Sequence, residues 1–153
     1  WRYFFADREL LEGGVVVDRE FPMDEFPVFV KDGAIVPLSV KRSYTGLGDA
    51  NSDGFITILI YPMDKNSFVY YHTDGAGETK ISYEMTGDGC ELSMQGSNIP
   101  HILRVHSKIS PKEIYLDGEI LERGKFWDYE DFNQKIIIKN SAEYSEGGYT
   151  IKF

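Results

Sequence analysis

Apolar and polar residues alternate in short runs along this chain, and no window of about eleven residues repeats at the helical period. Between residues 78 and 85, Ile81, Tyr83 and Met85 share one face of an extended chain. Cys90, Leu92 and Met94 share a face in the next run, and Leu103 and Val105 do so within 101–107. Residues 55–61 are apolar almost without interruption, which predicts a central strand. Residues 67–71, 112–116, 134–139 and 149–153 complete the series, the β-branched run at 134–139 being the strongest. Gly, Asp, Asn and Pro punctuate these runs at 62–66, 74–77, 87–89 and Asp117-Gly118. Many short strands at this spacing predict an all-β fold, an antiparallel β-sandwich over 55–153.

Upstream the pattern is denser in aromatics and prolines. Trp1–Phe5 reads as one strand and Val15–Val17 as another, joined by a charged, turn-like 6–12 and Gly13-Gly14. Apolar blocks at 28–30 and 35–36 flank Lys31-Asp32-Gly33 and predict two strands around a glycine turn. Pro27 and Pro37 lack an amide donor, so they belong at strand ends, edges or bulges. Tyr70 and Tyr71 point to opposite faces, one buried and one exposed. Residues 43–54 are rich in Gly, Ser and Asn and read as a linker. The organisation expected is therefore part of a smaller β-sandwich over 1–42, the linker, and the sandwich over 55–153.

The chain of 153 residues is long enough for a real core. Its net charge of −9 argues against nucleic acid and anionic membrane as partners, since both require a basic face. No apolar run approaches the roughly 20 residues that span a bilayer, and the start carries no signal-peptide pattern. Cys90 is the lone cysteine, so no internal disulfide forms; a soluble cytoplasmic or periplasmic setting is compatible with this. Because the chain starts at Trp1 rather than Met, it reads as a piece of a longer protein.

Chemistry is sparse. The histidines His72, His101 and His106 form no zinc spacing, and each is expected at the surface or in a hydrogen bond. His101 and His106, five apart on one strand, face opposite ways. Asp128 and Glu130 share a strand face but read as solvated charge, and Cys90 reads as a small buried apolar residue. No glycine-rich phosphate loop occurs. Asp49, Asn51 and Asp53 match the first ligands of a calcium loop, with Gly54 at its sixth position. Ile60 stands where a bidentate Glu is required, so a solvated acidic turn is favoured and no cofactor is expected, calcium being the one alternative. Trp127 and Tyr129 share a face with Asp131 next along it. They are the candidate carbohydrate platform, against a reading in which Trp127 plugs the core.

In order along residues 1–40 stand Trp1, Tyr3, Phe4, Gly13, Gly14, Pro22, Asp24, Pro27, Phe29, Val30, Gly33, Ala34, Ile35 and Pro37. This run resembles the segment that follows the catalytic barrel in family 31 glycoside hydrolases, the α-glucosidase and α-xylosidase group. Further on, Tyr61, Pro62, Phe68, Tyr71, Asp74, Gly75, and then Pro111, Ile114, Asp117 and Gly118, are similar to elements of that family's distal β-sandwich. His72-Thr73 departs from it where acidic residues are usual. The resemblance implies the C-terminal part of a proximal sandwich over 1–42 and a distal sandwich after it. It also implies a parent enzyme that cleaves an α-glycosidic bond with retention. That chemistry uses two carboxyl groups about 5–5.5 Å apart, which in the family are barrel aspartates; neither barrel motif is present here. The expected role is a non-catalytic C-terminal accessory region, itself inactive, whose partner is the parent's (β/α)8 barrel. The alternative is a carbohydrate-binding module for an α-glycan oligosaccharide.

Overall fold

In the computed structural model, fourteen strands and no helix form among the described residues, which are 1–40, 52, 54–73, 75, 77–97, 99–141 and 147–153. The strands are β1 (Arg2–Tyr3), β2 (Ala6–Leu10), β3 (Phe29–Val30), β4 (Ile35–Leu38), β5 (Ile56–Ile60), β6 (Lys65–Tyr71) and β7 (Glu78–Met85). There follow β8 (Gly89–Gly96), β9 (His101–His106), β10 (Glu113–Leu116), β11 (Glu119–Ile120), β12 (Trp127–Glu130), β13 (Lys135–Asn140) and β14 (Gly147–Lys152). They assemble into a three-stranded sheet β2-β1-β3, a six-stranded sheet β11-β10-β14-β8-β7-β6 and a five-stranded sheet β12-β13-β9-β5-β4. Every pairing is antiparallel except that of β5 with β9, which is parallel. The all-β sandwich predicted from the alternation is thus observed, with one parallel pair inside it.

The six- and five-stranded sheets face each other across one core. Ile81 and Tyr83 of β7, Cys90, Leu92 and Met94 of β8, and Leu103 and Val105 of β9 all enter it, as the period-two pattern predicts. Met85, at the end of β7, lies partly exposed beyond the core. Tyr71 is exposed while Tyr70 packs against the core, as opposite facing requires.

Strand β5 is buried at all five positions because both of its faces are covered. Ile56, Ile58 and Ile60 enter the sandwich core, whereas Leu59 and the following Tyr61 pack with Val30, Phe4 and Val36 on the outer side. There the N-terminal segment forms a third layer. At about 1.5–3 kcal/mol for each fully buried large apolar side chain, Leu59 and Val30 alone contribute several kcal/mol to holding it.

The N-terminal elements differ from the expected ones. Residues 6–10, expected as a charged turn, form β2, which pairs with β1. Val15–Val17, expected as a strand, lies exposed outside any strand. The chain reverses at Phe4-Phe5 instead, so the charged run returns beside β1 and sends Asp7 inward. The blocks around Lys31-Asp32-Gly33 are strands, but they do not pair with each other: β3 joins β1 and β4 joins β5. The glycine turn is a corner between two sheets. Gly33 supplies a φ of 91°, and its carbonyl accepts hydrogen bonds from Tyr83 Oη (2.9 Å) and Asn66 Nδ2 (2.7 Å). Because β4 belongs to the five-stranded sheet, strand pairing crosses the boundary that the sequence places at residues 43–54. Pro37 sits in β4 at that sheet's edge, as its missing donor demands.

Candidate functional site

Two features stand out: a buried polar cluster that anchors the N-terminal layer, and an apolar surface which that layer leaves open. The cluster grows from the outward face of the five-stranded sheet. Along β13, Ile136 and Ile138 point into the sandwich core, which turns Lys135 to the other side, opposite His106 of β9. Asp7 of β2 descends onto this face. Its carboxylate pairs with Lys135 and accepts a hydrogen bond from Tyr61 Oη at 2.7 Å. Arg2 donates from Nε to Asp32 Oδ1 at 2.6 Å and from Nη1 to the Asp7 carbonyl at 2.8 Å. The three-stranded and five-stranded sheets therefore meet at Asp7, Lys135 and Arg2.

Burial sets the electrostatics here. It pulls the Lys135 ammonium below its ordinary pKa, against the opposing pull of Asp7. It pushes the Tyr61 phenol well up, and the Asp7 charge pushes it further. His106 is buried and neither ring nitrogen has a hydrogen-bond partner. Desolvation, with Arg2 and Lys135 close by, lowers its pKa to about 4. The expectation of a surface or hydrogen-bonded histidine fails at this residue, because the N-terminal layer covers it. It holds for His72, which bonds Thr79 Oγ1, and for His101, which bonds Tyr149 Oη. No sequence motif marks Asp7, Lys135 and Arg2 as a unit. The cluster's sequence signal is a lysine on the outward face of a strand whose inward face carries Ile136 and Ile138.

The second feature is exposure. Val16, Met23 and Phe26 are 97%, 107% and 77% exposed, and Trp1, Phe5, Leu10, Val15, Val17 and Val28 are each at least 39% exposed. Nine of the seventeen exposed large apolar side chains among the described residues thus fall in the first 28 positions. Patches of this density mark contact surfaces. A pocket of about 420 Å³ opens among them, between Trp1, Gly13-Gly14, Phe21 and Phe29.

The residues singled out for chemistry are placed as follows. Trp127 is buried in the sandwich core, where its Nε1 donates to the Leu121 carbonyl at 2.9 Å. Tyr129 is half-buried and donates to the Ser107 carbonyl, while Asp131 lies exposed beyond the end of β12. A platform with Trp127 as its sugar-stacking ring is therefore not formed, since alternation along β12 turns that ring inward. The calcium residues Asp49, Asn51 and Asp53 lie outside the described residues. Asp128 pairs with Arg123 at 3.1 Å, and Glu130 lies 3.9 Å from Arg104, so each carboxylate has a cationic partner. Cys90 is buried as expected, its thiol pushed up to about 12 by desolvation. Among the described residues no group of three or more His, Cys, Asp or Glu could hold a metal ion.

No known family model matches the chain. An α-xylosidase of Saccharolobus solfataricus is 33% identical over 85 residues, which is 54% of this chain and 10% of that protein. Among solved structures, a GH31 dextranase of Flavobacterium johnsoniae in complex with glucose superposes on all of this chain with a TM-score of 0.82 at 22% identity. The cycloalternan-forming enzyme of Listeria monocytogenes, in complex with a pentasaccharide substrate, covers 99% of the chain with a TM-score of 0.80 at 18% identity. The chain spans 23% and 16% of those two structures.

Proposed function

From a chain that resembles family 31 glycoside hydrolases in its sequence motifs and carries, over its whole length, the fold of one segment of their much larger structures, we propose that it is the non-catalytic C-terminal accessory region of a retaining α-glycoside hydrolase. Its partner is the (β/α)8 barrel of the parent enzyme, an α-glucosidase or α-xylosidase. The observation that carries this reading is the crowding of exposed apolar side chains into residues 1–28, on a layer whose other side is already anchored to the sandwich. Such a layer has one face for the sandwich and one face for a large neighbour. The polar cluster at Asp7, Lys135 and Arg2 would transmit the barrel's position to the sandwich by fixing the angle between the layers.

The catalytic requirement points the same way. Retention calls for two carboxyl groups about 5–5.5 Å apart in a cleft. Among the described residues, Asp7, Asp32 and Asp128 are instead paired with Lys135, Arg2 and Arg123. The purified chain is expected to release no p-nitrophenol from aryl α-glucosides or α-xylosides. Turnover that persists through purification and disappears on substitution of Asp128 and Glu130 would overturn the accessory role.

A further inference from the structure

A cleft of about 330 Å³ lies where the β10–β11 hairpin meets the ends of β13 and β14. That volume lies at the small end of the range for ligand pockets, which characteristically combine apolar walls with a few convergent polar groups. The hairpin is closed by Asp117-Gly118, both at positive φ (51° and 84°), the conformation a two-residue type I′ turn requires. Asp117 is held in place because its Oδ1 accepts the Gly148 amide at 2.8 Å. The opposite wall carries Phe126, next to the buried Trp127. Trp127 fixes this wall through its bond to the Leu121 carbonyl, and the Phe126 carbonyl accepts the Lys139 amide of β13 at 3.0 Å. The ring is 38% exposed and lines the cleft, with the Lys125 ammonium 4.9 Å from its centroid.

At the floor, Asn140 and Tyr149 are buried, 6% and 1% exposed. They are oriented by a chain of hydrogen bonds. His101 Nδ1 lies 2.8 Å from the Ile99 carbonyl, which can only accept, so that nitrogen carries the proton. His101 Nε2 is then the acceptor and Tyr149 Oη donates to it at 2.8 Å, while accepting from Asn140 Nδ2 at 2.6 Å. Asn140 spends an amide hydrogen on this chain, which leaves its carbonyl oxygen as the acceptor it can offer a ligand. Asp117 and Glu119 bring charged acceptors to the rim, while the Lys139 ammonium lies over the Phe55 ring, 4.5 Å from its centroid.

We propose that this cleft binds a neutral pyranose sugar, the end residue of an oligosaccharide, with Phe126 against its C–H face and Asn140 and Asp117 on its hydroxyls. An anionic ligand would lie beside the Asp117 and Glu119 carboxylates. A wholly apolar one would desolvate Asn140 and Asp117 without replacing their hydrogen bonds. A sugar has one face of each kind and satisfies both. The site is one residue away from the Trp127 platform expected from the sequence, and its existence does not depend on the accessory role.

Isothermal titration of the chain with glucose, isomaltose, maltose and xylose tests it. Saturable binding of at least one sugar is expected, weakened about tenfold or more by Phe126→Ala and by Asn140→Ala. It should be unchanged by Tyr71→Ala, an exposed aromatic far along another strand. Thermal melts check that each variant is folded. If Asn140→Ala does not fold, sugar-induced shifts of the Ile120 and Leu121 amides in the unaltered chain decide the matter. No saturation up to about 50 mM sugar, or binding that survives Phe126→Ala but is lost in Tyr71→Ala, overturns the proposal. Either result leaves the accessory role standing, and aryl-glycoside turnover would sink that role without touching this one.

Discussion

His106 carries the sharpest conflict between a residue's chemistry and its place. Its imidazole is buried beside Arg2 and Lys135, with Asp7 and Asp32 facing the same space, and neither nitrogen is bonded. Its pKa falls to about 4 from an ordinary value of 6.5, because a proton there would lose hydration and meet two cations. In the window between these values the unfolded chain takes up a proton that the folded chain refuses. Stability therefore declines as pH falls from about 6.5 to about 4, and this residue adds no further loss below that. The full effect is about 2 kcal/mol once solvent screening at the rim of the cluster is allowed for. Urea midpoints at about pH 7 and pH 4.5 should separate clearly in the unaltered chain and move closer together in His106→Phe. Some slope will remain, since burial lowers His101 as well. An unchanged separation in the variant would show that His106 is solvated.

At the scale of elements, close approach between strands decides more than propensity does. Gly89 opens β8 opposite Lys152 of β14, and a Cβ there would lie 1.9 Å from the Ile151 carbonyl oxygen. Backbone cannot yield at that distance without breaking the pairing of β8 with β14, which joins the two halves of the six-stranded sheet. Gly89→Ala is expected to cost about 2–3 kcal/mol in chemical denaturation. Gly87→Ala, two residues earlier in the same turn and with nothing within 4 Å of its Cβ, should be close to neutral. Equal effects in the two variants would mean that the turn, not the strand contact, sets the cost. The same scale explains why Val15–Val17 is not a strand while 6–10 is. A strand forms where a partner edge is offered, and β1 offers its two edges to β2 and β3.

At the scale of the whole molecule, the chain is a three-layered stack whose outermost layer is apolar on its open side. Without a covering neighbour that side is an association surface. Light scattering of the isolated chain should show a mass that rises with concentration. The triple substitution Val16→Asp, Met23→Asp and Phe26→Asp should hold it monomeric while leaving the thermal melt of the sandwich little changed, because all three side chains are exposed. A monomer at every concentration in the unaltered chain would argue that these side chains are covered by the chain itself in solution.

Much of this molecule was determined by sequence alone, since period two has only one meaning in an extended chain. It placed Ile81, Tyr83, Cys90, Leu92, Met94, Leu103 and Val105 in the core, and it marked 56–60 as central because apolar residues on both faces need covering on both faces. The motifs of residues 1–40 carry the family resemblance in the sequence itself. What only the tertiary structure decided was which edge meets which, and therefore which polar residues are enclosed. Lys31–Gly33 reads as a hairpin turn locally, yet it is a corner, because β4 finds a better partner in β5 than in β3. Asp7, Lys135 and His106 are far apart along the chain and carry no shared pattern. Their cluster exists because one layer closes over another, and the energy of a buried charge depends on that closure and not on its neighbours in sequence. Phe126 and Trp127 differ by one position, and the register of β12 on β13 alone settles which ring is core and which faces the cleft.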